Sequence, residues 1–234
     1  TIQQPDGVRY IMLRSTIEGY AKIGLAEDVT AAVLERKRIE HERDHDILTG
    51  LYNRQAFNRV CTELFAAPER MGVAALMMMD LDNLKHINDT YGHDWGDQYI
   101  RRTGQCLRDN TPAGTVCARL SGDEFLVLFH GYRSRDAVRE KIDHLTNAMQ
   151  QSVALLPSGN ALHISLSGGI AWYPDDGQDW ETLKKYADFA MYQVKHADKG
   201  RVEEFDIGVY NREAYAERTR REFRQLLSNA QAVS

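Results

Sequence analysis

The chain of 234 residues carries 34 acidic against 29 basic side chains, a formal net charge of −5, and is 43% hydrophobic. That balance suits a globular chain of one domain with extensions. It excludes a general nucleic-acid binder, which carries a basic face, so no nucleic acid is expected as a partner. The longest uninterrupted apolar run, Val73–Met79, is far short of the ~20 residues that a membrane span needs, and no signal peptide is visible. Cys61, Cys106 and Cys117 form no CxxC pair and sit in apolar contexts. They read as buried thiols in a reducing compartment, and the expected location is the cytoplasm.

In chain order, Val8–Arg14 alternates as a strand does, and Tyr20–Leu25 reads as a second strand. A helix is expected from Ala31 to about His45. Residues Glu35–Asp46 alternate in charge as a solvated connector does, and Val33, Leu34 and Ile39 are too sparse for a heptad repeat. In Asp46–Arg54 (DILTGLYNR), Gly50 permits a turn and Asn53 caps a helix starting near Arg54. Asp46 and Arg54 are expected to close that turn as an ion pair. The run Val73–Met79 predicts a strand buried on both faces, with Asp80-Leu81-Asp82 where it emerges.

A helix follows over Asp97–Leu107. Two apolar runs then flank Ser121-Gly122-Asp123-Glu124, which predicts a β-hairpin with Gly122 at φ > 0 in a tight tip. Ser134 caps a long helix reaching about Leu156, Leu162–Trp172 alternates as a strand, and Trp180–Asp198 is amphipathic. Ser167-Gly168-Gly169 lacks the strand-to-helix GxxxxGK[ST] pattern of a phosphate loop and is read as strand packing. A last strand, Arg201–Phe205, and a charged helix, Asn211–Ala232, close the chain.

Adjacent acids on a rigid tip repel each other and call for a compensating cation. Mg²⁺ takes hard oxygen ligands, commonly one or two carboxylates with substrate phosphate. Asp80 and Asp82 at a strand end form a second acidic cluster, and two such clusters suggest two-metal phosphoryl chemistry. Each cluster alone reads equally as a solvated acidic turn. By themselves Asn88 reads as a helix cap, His93 as a structural hydrogen-bonder, and Lys195 and Lys199 as solvated residues at a helix C-terminus.

In order along the chain, these motifs resemble the GGDEF family of diguanylate cyclases. Ser121-Gly122-Asp123-Glu124-Phe125 is similar to the signature loop, with Ser121 where the family has its first glycine. Asp46–Arg54 fits the opening motif D-x-L-T-x-L-x-N-R, and Leu84–Asp97 fits F-K-x-I-N-D-x-x-G-H-x-x-G-D with Leu84 for phenylalanine. The resemblance implies an α+β fold, the nucleotidyl-cyclase palm with its ferredoxin-like βααββαβ sheet and flanking helices. It implies that Mg²⁺ or Mn²⁺ is held by Asp80, the Leu81 carbonyl, Asp123 and Glu124. Asp123 and Glu124 carry catalysis, and Asp123 is either a ligand or a general base. Substrate contacts fall to Asn88, His93, Asp97 and Gly122, with Asn88 and Asp97 as guanine readers, and to Lys195 and Lys199 on the terminal phosphates. Asp198 stands at a usual glycine. The family's R-x-x-D inhibitory site, five residues before the signature, is replaced by Pro112 and Thr115.

The expected activity is therefore condensation of two GTP into cyclic di-GMP plus two pyrophosphates at a homodimer interface. The alternative is a catalytically inactive GTP-binding module that regulates a neighbouring domain; a mononucleotide cyclase on the same palm is a third. Residues 46–206 form the expected GGDEF domain and 31–45 a signalling linker. Residues 1–30 resemble the end of a PAS sensor domain, with Asp28 and Thr30 as its Asp-x-Thr triplet, or else are a strand pair packed on the main domain. Residues 207–234 are a helical extension resembling the lead-in to a further domain such as an EAL phosphodiesterase.

Overall fold

The computed structural model describes residues 2–4, 7–18, 21–155, 159 and 161–216. Two small antiparallel hairpins come first: β1 (Ile2–Gln4) with β2 (Gly7–Arg9), and β3 (Ile11–Glu18) with β4 (Ala21–Asp28). The single expected strand Val8–Arg14 is thus two, broken at Tyr10. The cause is local, since the Tyr10 N–H donates to Thr30 Oγ1 at 2.9 Å and its carbonyl accepts from Val29 at 2.9 Å. Asp28 in turn accepts from the Thr30 N–H, so the Asp-x-Thr triplet fastens the hairpin to α1 (Thr30–Asp44). Tyr20, at the start of the second expected strand, lies outside the described residues.

The main body is a five-stranded sheet in the order β11-β10-β5-β7-β6. Its strands are β5 (Val73–Leu81), β6 (Val116–Ser121), β7 (Glu124–Tyr132), β10 (Leu166–Tyr173) and β11 (Val202–Glu204). All neighbours pair antiparallel except β10 with β11. Five helices cover it: α2 (Arg54–Phe65), α3 (Leu84–Tyr91), α4 (His93–Asn110), α5 (Arg135–Gln151) and α6 (Trp180–His196).

Alternation along the strands explains why β5 reads as an unbroken apolar run. Met77, Met79, Phe125, Val127 and Ile170 join Tyr99, Leu107 and Leu145 of α4 and α5 on one face. Leu76, Met78, Leu126, Leu128 and Ala171 join Phe57 of α2 and Leu183, Ala187 and Met191 of α6 on the other. With both faces covered, successive side chains of β5 are buried whichever way they point.

Three boundaries differ from the sequence expectations. Helix α5 stops at Gln151, because Val153–Leu155 (β8) pairs antiparallel with Ala161–His163 (β9). The expected end at Leu156 lies outside the described residues. The expected strand Leu162–Trp172 is split at Ile164 and Ser165, which bond sideways: Ile164 N–H to the Ser152 carbonyl and Ser165 N–H to Tyr99 Oη. Helix α6 ends at His196, so Lys199 lies beyond it. Of the C-terminal helix, residues 207–216 are helical; the expectation for 217–232 lies outside the described residues. No helix among the described residues is long and apolar enough to cross a membrane.

Candidate active site

The hairpin tip and the end of β5 meet. Gly122 takes φ 46°, and the next two residues return the chain into β7, which runs beside β5 with Asp80 opposite Glu124. The Leu81 N–H donates to the Asp123 carbonyl at 3.0 Å, which ties the two acidic segments together through backbone. Arg119 grips the tip from below: Nε and Nη2 donate to the Gly122 carbonyl at 3.0 and 2.9 Å, and Nη1 pairs with Asp46 at 3.2 Å. The expected Asp46–Arg54 pair is therefore replaced. Asp46 serves Thr49 and Arg119, while Arg54 reaches up to Ser121 Oγ at 3.5 Å.

Asp80, Leu81, Asp123, Lys195 and Lys199 line one open cleft of about 580 Å³. Asp80 is only 6% exposed. Burial pushes its carboxyl above the usual carboxylate range and the neighbouring Asp123 adds to that, while the Lys195 ammonium, 2.6 Å away, pulls it back. Lys199 reaches the cleft from the loop after α6 rather than from the helix.

Glu124 lies on the other side of the tip, in an adjoining cleft with Arg54, Lys184 and Asp188, and accepts from Ser121 Oγ at 3.1 Å. Asn88, His93 and Asp97 are not among the residues lining the acid cleft. They lie on α3 and α4, where the Asn88 carboxamide packs against Gly96; a Cβ there would collide with its Oδ1. Asp97 faces Arg101 at 3.9 Å. Gly92, at φ 89°, makes the turn between the two helices and leaves His93 exposed at the start of α4.

The acid motif hides two different residues. Asp82 is 3% exposed and wholly engaged: Ser165 Oγ and Ser167 Oγ donate to it at 2.8 and 2.9 Å. It lines the same cleft as Asp80, but both of its carboxylate oxygens are occupied by the two serines, so it braces the strand end. Arg119 and Asp188 are not marked by any local spacing in the sequence, and Ser121 stands out there only as a departure from the signature's first glycine.

The family model described as "Diguanylate cyclase, GGDEF domain" matches residues 43–201. This chain belongs to the GGDEF family. Its fold is accordingly the nucleotidyl-cyclase palm, here with the β8–β9 hairpin inserted before β10. The GGDEF domain of YfiN (TpbB) from Pseudomonas aeruginosa superposes with TM-score 0.63 at 32% identity, covering 69% of this chain and 94% of that one. The GGDEF domain of DgcB from Caulobacter crescentus, solved in complex with c-di-GMP, gives TM-score 0.59 at 27% identity, covering 69% and 95%. Among curated proteins, the cyclic di-GMP phosphodiesterase NbdA of P. aeruginosa is 34% identical over 80% of this chain and 24% of its own length. Diguanylate cyclase DosC of Escherichia coli is 30% identical over 70% of this chain and 35% of its own length. The chain thus spans about a quarter to a third of these two curated relatives.

The donor set of this GGDEF domain suits a hard divalent ion. Asp80 and Asp123 offer carboxylates across a cleft already lined by lysines, which matches the habit of Mg²⁺ to take one or two carboxylates and complete its shell with phosphate and water. Among the described residues no three acidic, histidine or cysteine side chains converge into a preassembled metal cage.

Proposed function

We propose that this chain is a diguanylate cyclase, condensing two GTP into cyclic di-GMP with loss of two pyrophosphates. The observation that supports it most is the acid cleft itself: Asp80 and Asp123 lie at the joined ends of β5 and the hairpin, with Lys195 and Lys199 lining the same space. In the proposed reaction each ribose 3′-hydroxyl attacks the α-phosphorus of the GTP on the other subunit. Its oxygen loses a proton, and the bond from that phosphorus to the β-phosphate breaks. Two sites must therefore face each other, which makes a homodimer the working unit.

In this reading Asp80, the Leu81 carbonyl, Asp123 and Glu124 hold Mg²⁺ or Mn²⁺. When bound, the ion supplies charge neutralisation on the phosphates and acidifies the attacking hydroxyl. Lys195 leaves Asp80 for the terminal phosphates, where Lys199 joins it. Asn88 and Asp97 read guanine, since a carboxylate accepts from N1–H and the exocyclic amine while an amide both donates and accepts. His93 stands beside them, and the bare Gly122 lets the phosphates approach the tip. We also propose the organisation expected from the sequence: a PAS-like sensor segment over 1–30, a linker over 31–45, the GGDEF domain over 46–206, and a C-terminal extension, in a cytoplasmic signalling protein.

The phosphodiesterase name of a relative that this chain spans only in part favours a second reading, a GTP-binding module that controls a neighbouring domain. Turnover separates the two. Purified chain with GTP and Mg²⁺ should yield cyclic di-GMP. Asp123→Ala and Glu124→Ala should each lower the rate at least about 100-fold. The melting temperature should stay within about 2 °C, because neither side chain supports the core. Binding of GTP without product selects the second reading, and undiminished turnover in both variants rejects the assignment of the acids.

A further inference from the structure

Ser121 stands where the family signature has glycine, and nothing in the proposed reaction uses it. Its backbone does not need glycine: among the described residues the only non-glycine with positive φ is Asn83, and at the tip only Gly122 takes that conformation. Ser121 and Glu124 close the β6–β7 ladder as its last pair, after a register shift between Arg119 and Ser121 that turns the tip. Across that pair Ser121 Oγ donates to Glu124 Oε2 at 3.1 Å, and Arg54 Nη2 makes a longer contact with the same Oγ at 3.5 Å. A hydroxyl has one proton and two lone pairs, so it can give to the carboxylate while receiving from the guanidinium. Glycine can do neither.

We infer that Ser121 is a positioning residue: with Arg54 behind it, it holds the Glu124 carboxylate in one orientation at the hairpin tip and so strengthens binding of the divalent ion that accompanies the triphosphate. The inference rests on the proposed role of Glu124. A free glutamate side chain samples several rotamers, and each must be given up when an ion is bound. A hydroxyl anchored on the facing strand removes part of that loss beforehand. The serine of this signature then orders its neighbour in a way that glycine does not.

The test is Mn²⁺ binding followed by electron paramagnetic resonance with 3′-deoxy-GTP, which fills the site and cannot condense. Ser121→Ala and Ser121→Gly should weaken Mn²⁺ about three- to tenfold, the usual worth of one such hydrogen bond. Ser121→Thr, which keeps the hydroxyl, should bind as wild type does. In a Glu124→Gln background Ser121→Ala should add no further loss, because the serine acts only through that carboxylate. In turnover the Ser121→Ala defect should fade at saturating Mn²⁺, leaving kcat near wild type. Wild-type Mn²⁺ affinity in Ser121→Ala, an equal loss in the Glu124→Gln background, or no rescue by Ser121→Thr each overturns the inference. If Glu124→Gln binds Mn²⁺ normally while Asp80→Asn does not, the clamp falls and the cyclase reading stands. If neither variant matters, both fall.

Discussion

At the scale of single residues, the acids of the cleft are sorted by their partners. Asp80 answers to a lysine, Asp82 to two serines and Glu124 to one, so three carboxylates close in sequence or register have three different freedoms. Asp97 is freer still, with a distant arginine beside it. If it reads guanine, Asp97→Ala should weaken GTP binding by about 1–3 kcal/mol, by analogy with a paired base contact, and narrow the preference over ATP. Calorimetric titration of the variant with both nucleotides checks this, and unchanged GTP affinity removes Asp97 from the pocket. Apart from the family resemblance, which singles out Asp80, the residues themselves do not separate the roles of Asp80 and Asp82. Both end an apolar strand, and the hydroxyls that engage Asp82 lie 83 and 85 residues further on. Asp46 was misassigned for the same reason: its arginine partner lies 73 residues away on the hairpin, whereas Arg54 was merely near in the chain.

At the scale of elements, α6 is what brings Lys195 to Asp80, and a glycine sets its height above the sheet. A Cβ on Gly169 would collide with the Ala187 carbonyl oxygen and the Met191 amide nitrogen, both backbone atoms of that helix. Gly169→Ala must therefore lift α6 off β10. The expected cost is about 1–3 kcal/mol or more of stability, as for overpacked cores. Turnover should fall beyond what the stability loss explains, since Lys195 moves with the helix. Urea denaturation and a rate measured well below the midpoint test the two parts, and a variant as stable as wild type refutes the packing argument. The glycine pair was legible as packing because no phosphate-loop pattern surrounds it. The strongly periodic helices and the long apolar strand were legible too. The β8–β9 hairpin was not, since three-residue strands carry too few alternations to outweigh a preceding helical pattern.

At the scale of the whole molecule, the position of the family's inhibitory site, Pro112 to Thr115, is the place to ask about control by product. Beside Pro112 a cavity of about 590 Å³ is lined by Asp109, Glu140 and Asp143, and its lysine, Lys141, is held by Glu140 at 2.8 Å. Proline offers no donor and Thr115 no carboxylate, and although His144 and Asn147 also line the cavity, no arginine stands there to fork onto the phosphates of a doubly anionic dinucleotide. Turnover should not fall as cyclic di-GMP accumulates through this region; inhibition that maps to residues 112–115 would show the opposite. Regulation would then enter through α1, whose end leads into Asp46 and from there, by Arg119, to the Gly122 carbonyl. The backbone bonds that join the acids have a last consequence. The Leu81 N–H is held by the Asp123 carbonyl and the Asp82 N–H by the Ser165 carbonyl, at the end of a strand paired on both sides. In heavy water those two amide protons should be among the slowest to be replaced, leaving only when the sheet as a whole opens. On warming, the chemistry should then survive until the domain itself melts, with no earlier temperature at which the acids loosen in an otherwise intact fold.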